Sequence, residues 1–127
     1  MNEYEKQAND FAKKYGVKLK ELSMRVGSMW GENQHRCIFK MRLSRNRKTY
    51  TFDFGQSLAN GSKTPTMYEV LASLTKYDVG SFEDFCHEYG YDEDSRNAER
   101  TYKAVCREFA AVERLFGDCM DELQEIA

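Results

Sequence analysis

Two runs of alternating side chains, joined by a few polar residues, constrain this chain more than any other feature. Across 35–44, Cys37, Phe39, Met41 and Leu43 alternate with Arg36, Lys40 and Arg42. Shortly after, Tyr50, Phe52 and Phe54 alternate with Thr49, Thr51 and Asp53. A period of two is the signature of a strand with one buried face. The connection Ser44-Arg-Asn-Arg-Lys48 is too short for a crossover, so the two strands pair antiparallel. The sheet then has an apolar face that helices must cover and a second face rich in Arg, Lys and Thr. A third strand is expected over 17–26, where Leu22, Met24 and Val26 alternate with Ser23 and Arg25. A turn at Trp30-Gly-Glu-Asn33 leads into the hairpin.

The rest of the chain reads at helical spacing. Tyr4, Ala8, Phe11, Ala12 and Tyr15 share a face over 3–15, with Gly16 as the stop. After the loop at 55–64, Thr64 and Pro65 look like an N-cap and first helical residue, followed by the stripe Tyr68, Leu71, Leu74. Lys76-Tyr-Asp-Val-Gly80 breaks that helix. Ser81 and Asp84 resemble a capping box ahead of Phe82, Phe85, Cys86 and Tyr89. Ser95 caps the longest helix, whose stripe is Ala98, Tyr102, Val105, Phe109, Val112 and Phe116, ended by Gly117. A last helix carries Met120, Leu123 and Ile126. The expected class is α+β, a three-stranded antiparallel sheet packed on helices in the order α-β-β-β-α-α-α-α.

With 127 residues, 41% of them hydrophobic, and a single proline, residues 1–127 make one domain with a real core. The polar start MNEYEKQAND excludes a secretory signal, and no run approaches the roughly 18 apolar residues of a membrane span. The expected location is the cytoplasm. The four cysteines, in no C-x-x-C pair, read as small buried apolar groups.

Three chemistries are suggested by the residues and fail on spacing. The loop from Gly55 to Thr64 follows a strand and precedes a helix, as a phosphate-binding loop does. Five residues separate its glycines, though, and Ser62 intervenes before Lys63. Cys37, Cys86, Cys106 and Cys119 with His35 and His87 lack the close ligand pairs of a zinc site. Asp92, Asp94 and Glu99 suggest a calcium loop, but Asn97 and Lys103 stand where its glycine and last acid belong. The reading is therefore a non-enzyme, with no catalytic, metal or cofactor residues.

Charge is the remaining signal. Residues 1–76 carry 14 Lys/Arg against 7 Asp/Glu, whereas 77–127 carry 5 against 14. A basic helix-plus-sheet part, 1–64, thus precedes an acidic helical part, 65–127. The basic cluster is Arg36, Lys40, Arg42, Arg45, Arg47 and Lys48, a candidate for nucleic-acid phosphates. The acidic run is Asp78, Glu83, Asp84, Glu88, Asp92, Glu93 and Asp94, a candidate phosphate mimic for a basic groove on another protein. Solvated faces are the plain alternative for both. The order α-β-β-β-α is also that of double-stranded-RNA-binding domains, but Thr64–Glu69 carries no cation where that fold's second helix starts.

The stretch PTMYEVLASLTKYDVGSFEDFCHEYGYDEDSR (65–96), the opening MNEYEKQANDF and the segment RTYKAV (100–105) resemble a family of small proteins carried by bacteriophages and mobile elements. No catalytic residue comes with the resemblance. What it implies is context: a phage-derived, anti-CRISPR type inhibitor in the bacterial host's cytoplasm, binding a host defence protein such as a CRISPR effector nuclease. The acidic run would make that contact. The alternative is a nucleic-acid-binding accessory protein that uses the basic hairpin. The oligomeric state stays open, a homodimer included.

Overall fold

A computed structural model describes residues 2–29, 35–60, 63–76 and 80–127. The elements run α1 (Glu3–Tyr15), β1 (Lys18–Gly27), β2 (Arg36–Arg45), β3 (Lys48–Ser57), α2 (Met67–Thr75), α3 (Phe82–Tyr89), α4 (Arg96–Phe116) and α5 (Met120–Ile126). This is the expected α+β order. The turn assigned to Trp30–Asn33 lies outside the described residues.

The sheet is antiparallel in the order β1-β2-β3. Phe39 sits opposite both Met24 and Phe54, and Met41 opposite both Leu22 and Phe52. These cross-strand rows form the inner face, on which the helices pack. The hairpin is tighter than its five polar residues suggest. Pairing runs through Arg45 and Lys48, leaving only Asn46 (φ 52°) and Arg47 (φ 66°) as the turn. Positive φ at both central residues is the turn whose twist suits a two-residue hairpin, a natural place for asparagine and a strained one for arginine. The outer face is not wholly polar: Ile38 lies on it by register and is fully buried. A Cβ at Gly55 would meet the flexible Met29 side chain, which would have to shift to make room.

α1 is capped by Asn2, whose Oδ1 accepts from the Glu5 N–H at 2.7 Å. It ends at Gly16 in the left-handed conformation. α2 starts two residues later than Thr64-Pro65 suggests. Thr66 is its N-cap and forms a reciprocal capping box with Glu69, while Pro65 precedes the helix. α4 ends at Phe116 with Gly117 as its C-cap, as expected, but without the left-handed conformation of Gly16. Gly117 is right-handed and opens a 3-10 turn, Gly117–Cys119, that leads into α5.

The main core gathers Phe11, Met41, Leu43, Phe52, Leu71, Leu74, Val112, Phe116 and Leu123, drawn from α1, the sheet, α2, the second half of α4 and α5. A second cluster, Phe85, Cys86, Ala98 and Val105, belongs to α3 and the first half of α4 alone. The 21-residue α4 therefore serves two cores, one at each end. No described helix is long and apolar enough to cross a membrane.

Candidate interaction surface

The second cluster makes α3 and the first half of α4 an arm with its own packing. Ser81 caps α3, accepting from the Asp84 N–H at 3.1 Å. Gly90 ends it in the left-handed conformation, and the Tyr91 N–H donates back to the Cys86 carbonyl at 2.9 Å. Phe85 is the hub: Tyr89, Tyr91 and Tyr102 lie around its ring at centroid distances of 5.1, 5.7 and 5.5 Å. The Tyr102 hydroxyl donates to the Gly80 carbonyl at 2.8 Å, tying the start of α3 to α4. Aromatic contacts of this kind order a small cluster that two short helical segments could not hold by propensity alone.

The arm carries the acidic run. Glu83 and Asp84 occupy the first turn of α3, where its dipole favours carboxylates. Glu88 follows on the same helix, and Asp92, Glu93 and Asp94 form the turn into α4. All six are exposed, and none takes part in the ion pairs formed among the described residues. Asp92 Oδ1 accepts from the Asp94 N–H at 3.0 Å, which shapes the turn. The Cys86 thiol is pushed up by burial, with Glu93 and Asp92 adding to the effect. Asp78 lies outside the described residues.

The basic cluster is dispersed by the fold. Arg36, Lys40 and Arg42 do share the outer sheet face. That face is partly neutralised from within, since Arg42 pairs with Glu21 at 3.7 Å and Arg25 with Asp53 at 3.3 Å. Arg47 and Lys48 sit exposed at the hairpin tip. Arg45 is not a surface cation. Its side chain falls on the inner face, continuing the alternation of Cys37, Phe39, Met41 and Leu43, and it is only 4% exposed. Its guanidinium holds Asp118 and the Leu115 carbonyl, so it closes the C-terminal end of α4 rather than offering charge to a ligand.

A second basic feature escaped the sequence reading. Arg96, Arg100, Lys103, Arg107 and Arg114 are the only five cations of 77–127, and all are exposed on α4. At 3.6 residues per turn they fall within about 60° of arc, opposite the buried stripe of Ala98, Val105 and Val112. Of these, Lys103 pairs with Glu99 at 3.0 Å. Arg114 shares a cleft with Lys48, Thr49 and Tyr50, so the stripe reaches the hairpin tip. In that cleft the Tyr50 hydroxyl is raised well above its usual range, chiefly by burial and then by Glu108. The spacing i, i+4, i+7, i+11 was visible in the sequence. Counting net charge over the whole half hid it. The arm is thus two-faced, with carboxylates on the α3 side and cations on the far side of α4.

All four cysteines are free, and three of them are buried. Among the described residues, no three His, Cys, Asp or Glu side chains gather as metal ligands would. Asp92, Asp94 and Glu99 stand in a solvated turn and first helical turn. Gly61 and Ser62 of the glycine-bearing loop lie outside the described residues, and β3 before it is antiparallel to its neighbour. Comparison with family models, curated proteins and solved structures returned no match.

Proposed function

We propose that this chain is a non-enzymatic binding protein that inserts its acidic arm into a nucleic-acid-binding groove of another protein. The partner implied by the phage-family resemblance is a host defence nuclease, of the CRISPR effector kind. One observation carries the reading. Six exposed carboxylates without cationic partners among the described residues are presented by two helical segments that have their own core. Rows of carboxylates on a rigid support offer a basic groove the charge density it evolved to bind, and such complementarity governs encounter rate and register. The test is a reversal of the arm: Glu88→Lys, Asp92→Lys, Glu93→Lys and Asp94→Lys together. In a DNA-cleavage assay with an RNA-guided nuclease that the wild-type protein inhibits, the folded variant is expected to leave cleavage uninhibited. Retained inhibition by that variant rules the arm out.

A second reading is favoured by the α4 stripe. Five cations on one solvent-facing arc, continuing to Lys48, suit a phosphate backbone better than the internally neutralised sheet face does. Its contact residues are then Arg100, Lys103 and Arg107 rather than Arg42 and Arg45. Reversing those three to Glu separates it from the leading reading, because it leaves the acidic arm intact.

A further inference from the structure

The sheet ends on one side in β1. Among the described residues β1 pairs on one side only, so the other side of Lys18–Gly27 is a sheet edge with backbone groups open to a further strand. Its inner-facing side chains are incompletely covered. Met24 and Val26 point the same way as Phe39 and Cys37, yet are 47% and 60% exposed. The helices stop short of this corner. Its outer-facing side chains are Glu21, Ser23 and Arg25, in line with Arg42, Lys40 and Ile38.

A second copy of β1 fits this edge in one register. When two identical antiparallel strands pair about a two-fold axis, opposite residues must lie on the same face, so the axis passes through a residue and its own copy. An axis at Glu21 or Arg25 sets like charges against each other. An axis at Leu22 or Met24 leaves both charges without an opposite partner. An axis at Ser23 alone places Glu21 opposite Arg25 of the second copy, and Arg25 opposite its Glu21. The same register sets Leu22 against Met24 and Met24 against Leu22 on the inner face, covering the exposed methionine. The existing pairs Glu21–Arg42 and Arg25–Asp53 then join into one row across both sheets, Asp53, Arg25, Glu21, Arg42, alternating in sign. The bulge between Leu19 and Glu21 lies toward one end of the paired segment, where it bounds the match.

We infer that the chain forms a homodimer by antiparallel β1–β1 pairing centred on Ser23, making a continuous six-stranded sheet. The inference is independent of which charged surface binds a partner. Two experiments on the full-length protein test it. By sedimentation over a dilution series, wild type is expected to be dimeric in the micromolar range. Glu21→Arg and Arg25→Glu singly are expected to shift it to monomer, and the double swap Glu21→Arg/Arg25→Glu to restore the dimer. Under mild oxidation, Ser23→Cys is expected to give a covalent dimer, because opposite Cα atoms lie within disulfide range. Arg25→Cys is expected not to, since its copy lies about 13 Å away along the strands. Wild type controls for the native thiols. A monomer throughout the series, a double swap that stays as monomeric as the single variants, or cross-linking at residue 25 equal to that at 23 overturns the proposal.

Discussion

Arg45 at the tip of the β2–β3 hairpin holds Asp118 in a two-pronged ion pair, Nη1 to Oδ1 at 2.6 Å and Nη2 to Oδ2 at 2.9 Å, across 73 positions of sequence. Nη1 also donates to the Leu115 carbonyl at 2.6 Å. Tyr15 and Phe116 lie beside the guanidinium, 5.2 and 5.9 Å from carbon to ring centre. The two members of the pair are in unlike surroundings: Arg45 is buried, while the Asp118 side chain is 65% exposed. Nε of Arg45 has no hydrogen-bond partner among the described residues, so the buried cation relies on this fork, the Leu115 carbonyl and the two rings. The contact ties the sheet to the end of α4 and the start of α5.

Arg45→Ala removes the fork, the α4 end cap and the packed stem together, and is expected to cost about 2–4 kcal/mol. Arg45→Lys keeps the charge and loses the planar fork, so it should fall between wild type and alanine. Arg42→Ala, on the same strand but exposed on the outer face, should change stability by under about 0.5 kcal/mol. Urea denaturation of the three variants measures this directly.

The same pair sets a pH dependence. The hydrogen bond from Arg45 holds the Asp118 carboxyl below its ordinary value of 3.8. A carboxyl lowered on folding adds stability that is complete above the unfolded value and is lost as pH falls through the folded one. Wild type should therefore lose stability on acidification below about pH 4 more steeply than Asp118→Asn. Tm measured between neutral and acid pH gives both slopes. Glu122 is lowered too, first by the Tyr15 hydroxyl and then by Lys14, and should leave a residual acid slope in the Asp118→Asn variant.

The start of α2 separates two neighbouring threonines. Thr66 accepts from the Glu69 N–H at 3.2 Å, and Glu69 reaches back to the Thr66 N–H at 3.5 Å while accepting from Gln56 Nε2 at 3.0 Å. Thr66→Ala should cost about 1 kcal/mol, with Thr64→Ala near neutral because Thr64 is exposed and outside the helix. A loss in thermal melts from Thr64→Ala with none from Thr66→Ala would put the cap at Thr64 instead.

Phe85 is the centre of the arm's own core, and Phe85→Ala should cost about 3–4 kcal/mol locally. Because that cluster is distinct from the main one, hydrogen exchange should accelerate in α3 and the first half of α4. Amides of β2 and the second half of α4 should keep their protection. A uniform loss of protection would mean that the two clusters unfold as one.

The periodic segments were legible in the sequence because periodicity reports which face is buried, and burial is what the core decides. Cys37, Phe39, Met41 and Leu43 declared the sheet, and Ala98, Val105 and Val112 the long helix. Arg45 was misplaced because its position obeyed the alternation while its charge argued against burial. Only the far-off Asp118 and the Leu115 carbonyl make that burial tolerable. The α2 start was misjudged because Thr64-Pro65 and Thr66 both suit a helix beginning, and Glu69, three residues after Thr66, decides between them. The exposure of Met24 and Val26 was likewise out of reach, since alternation gives the face of a strand and not how far the helices extend over it. Of the candidate surface, the acidic run was read directly, and its support on a separate cluster came from the fold.

The central claim, that the acidic arm rather than a basic surface makes the functional contact, is tested most directly by fluorescence anisotropy of labelled single- and double-stranded DNA and RNA, titrated with purified protein at two salt concentrations. The account predicts no binding at the lower salt, leaving a protein partner to be captured through the arm. Micromolar or tighter binding that weakens steeply with salt, and that disappears when Arg100, Lys103 and Arg107 are reversed to Glu, would contradict it and assign the function to the α4 stripe.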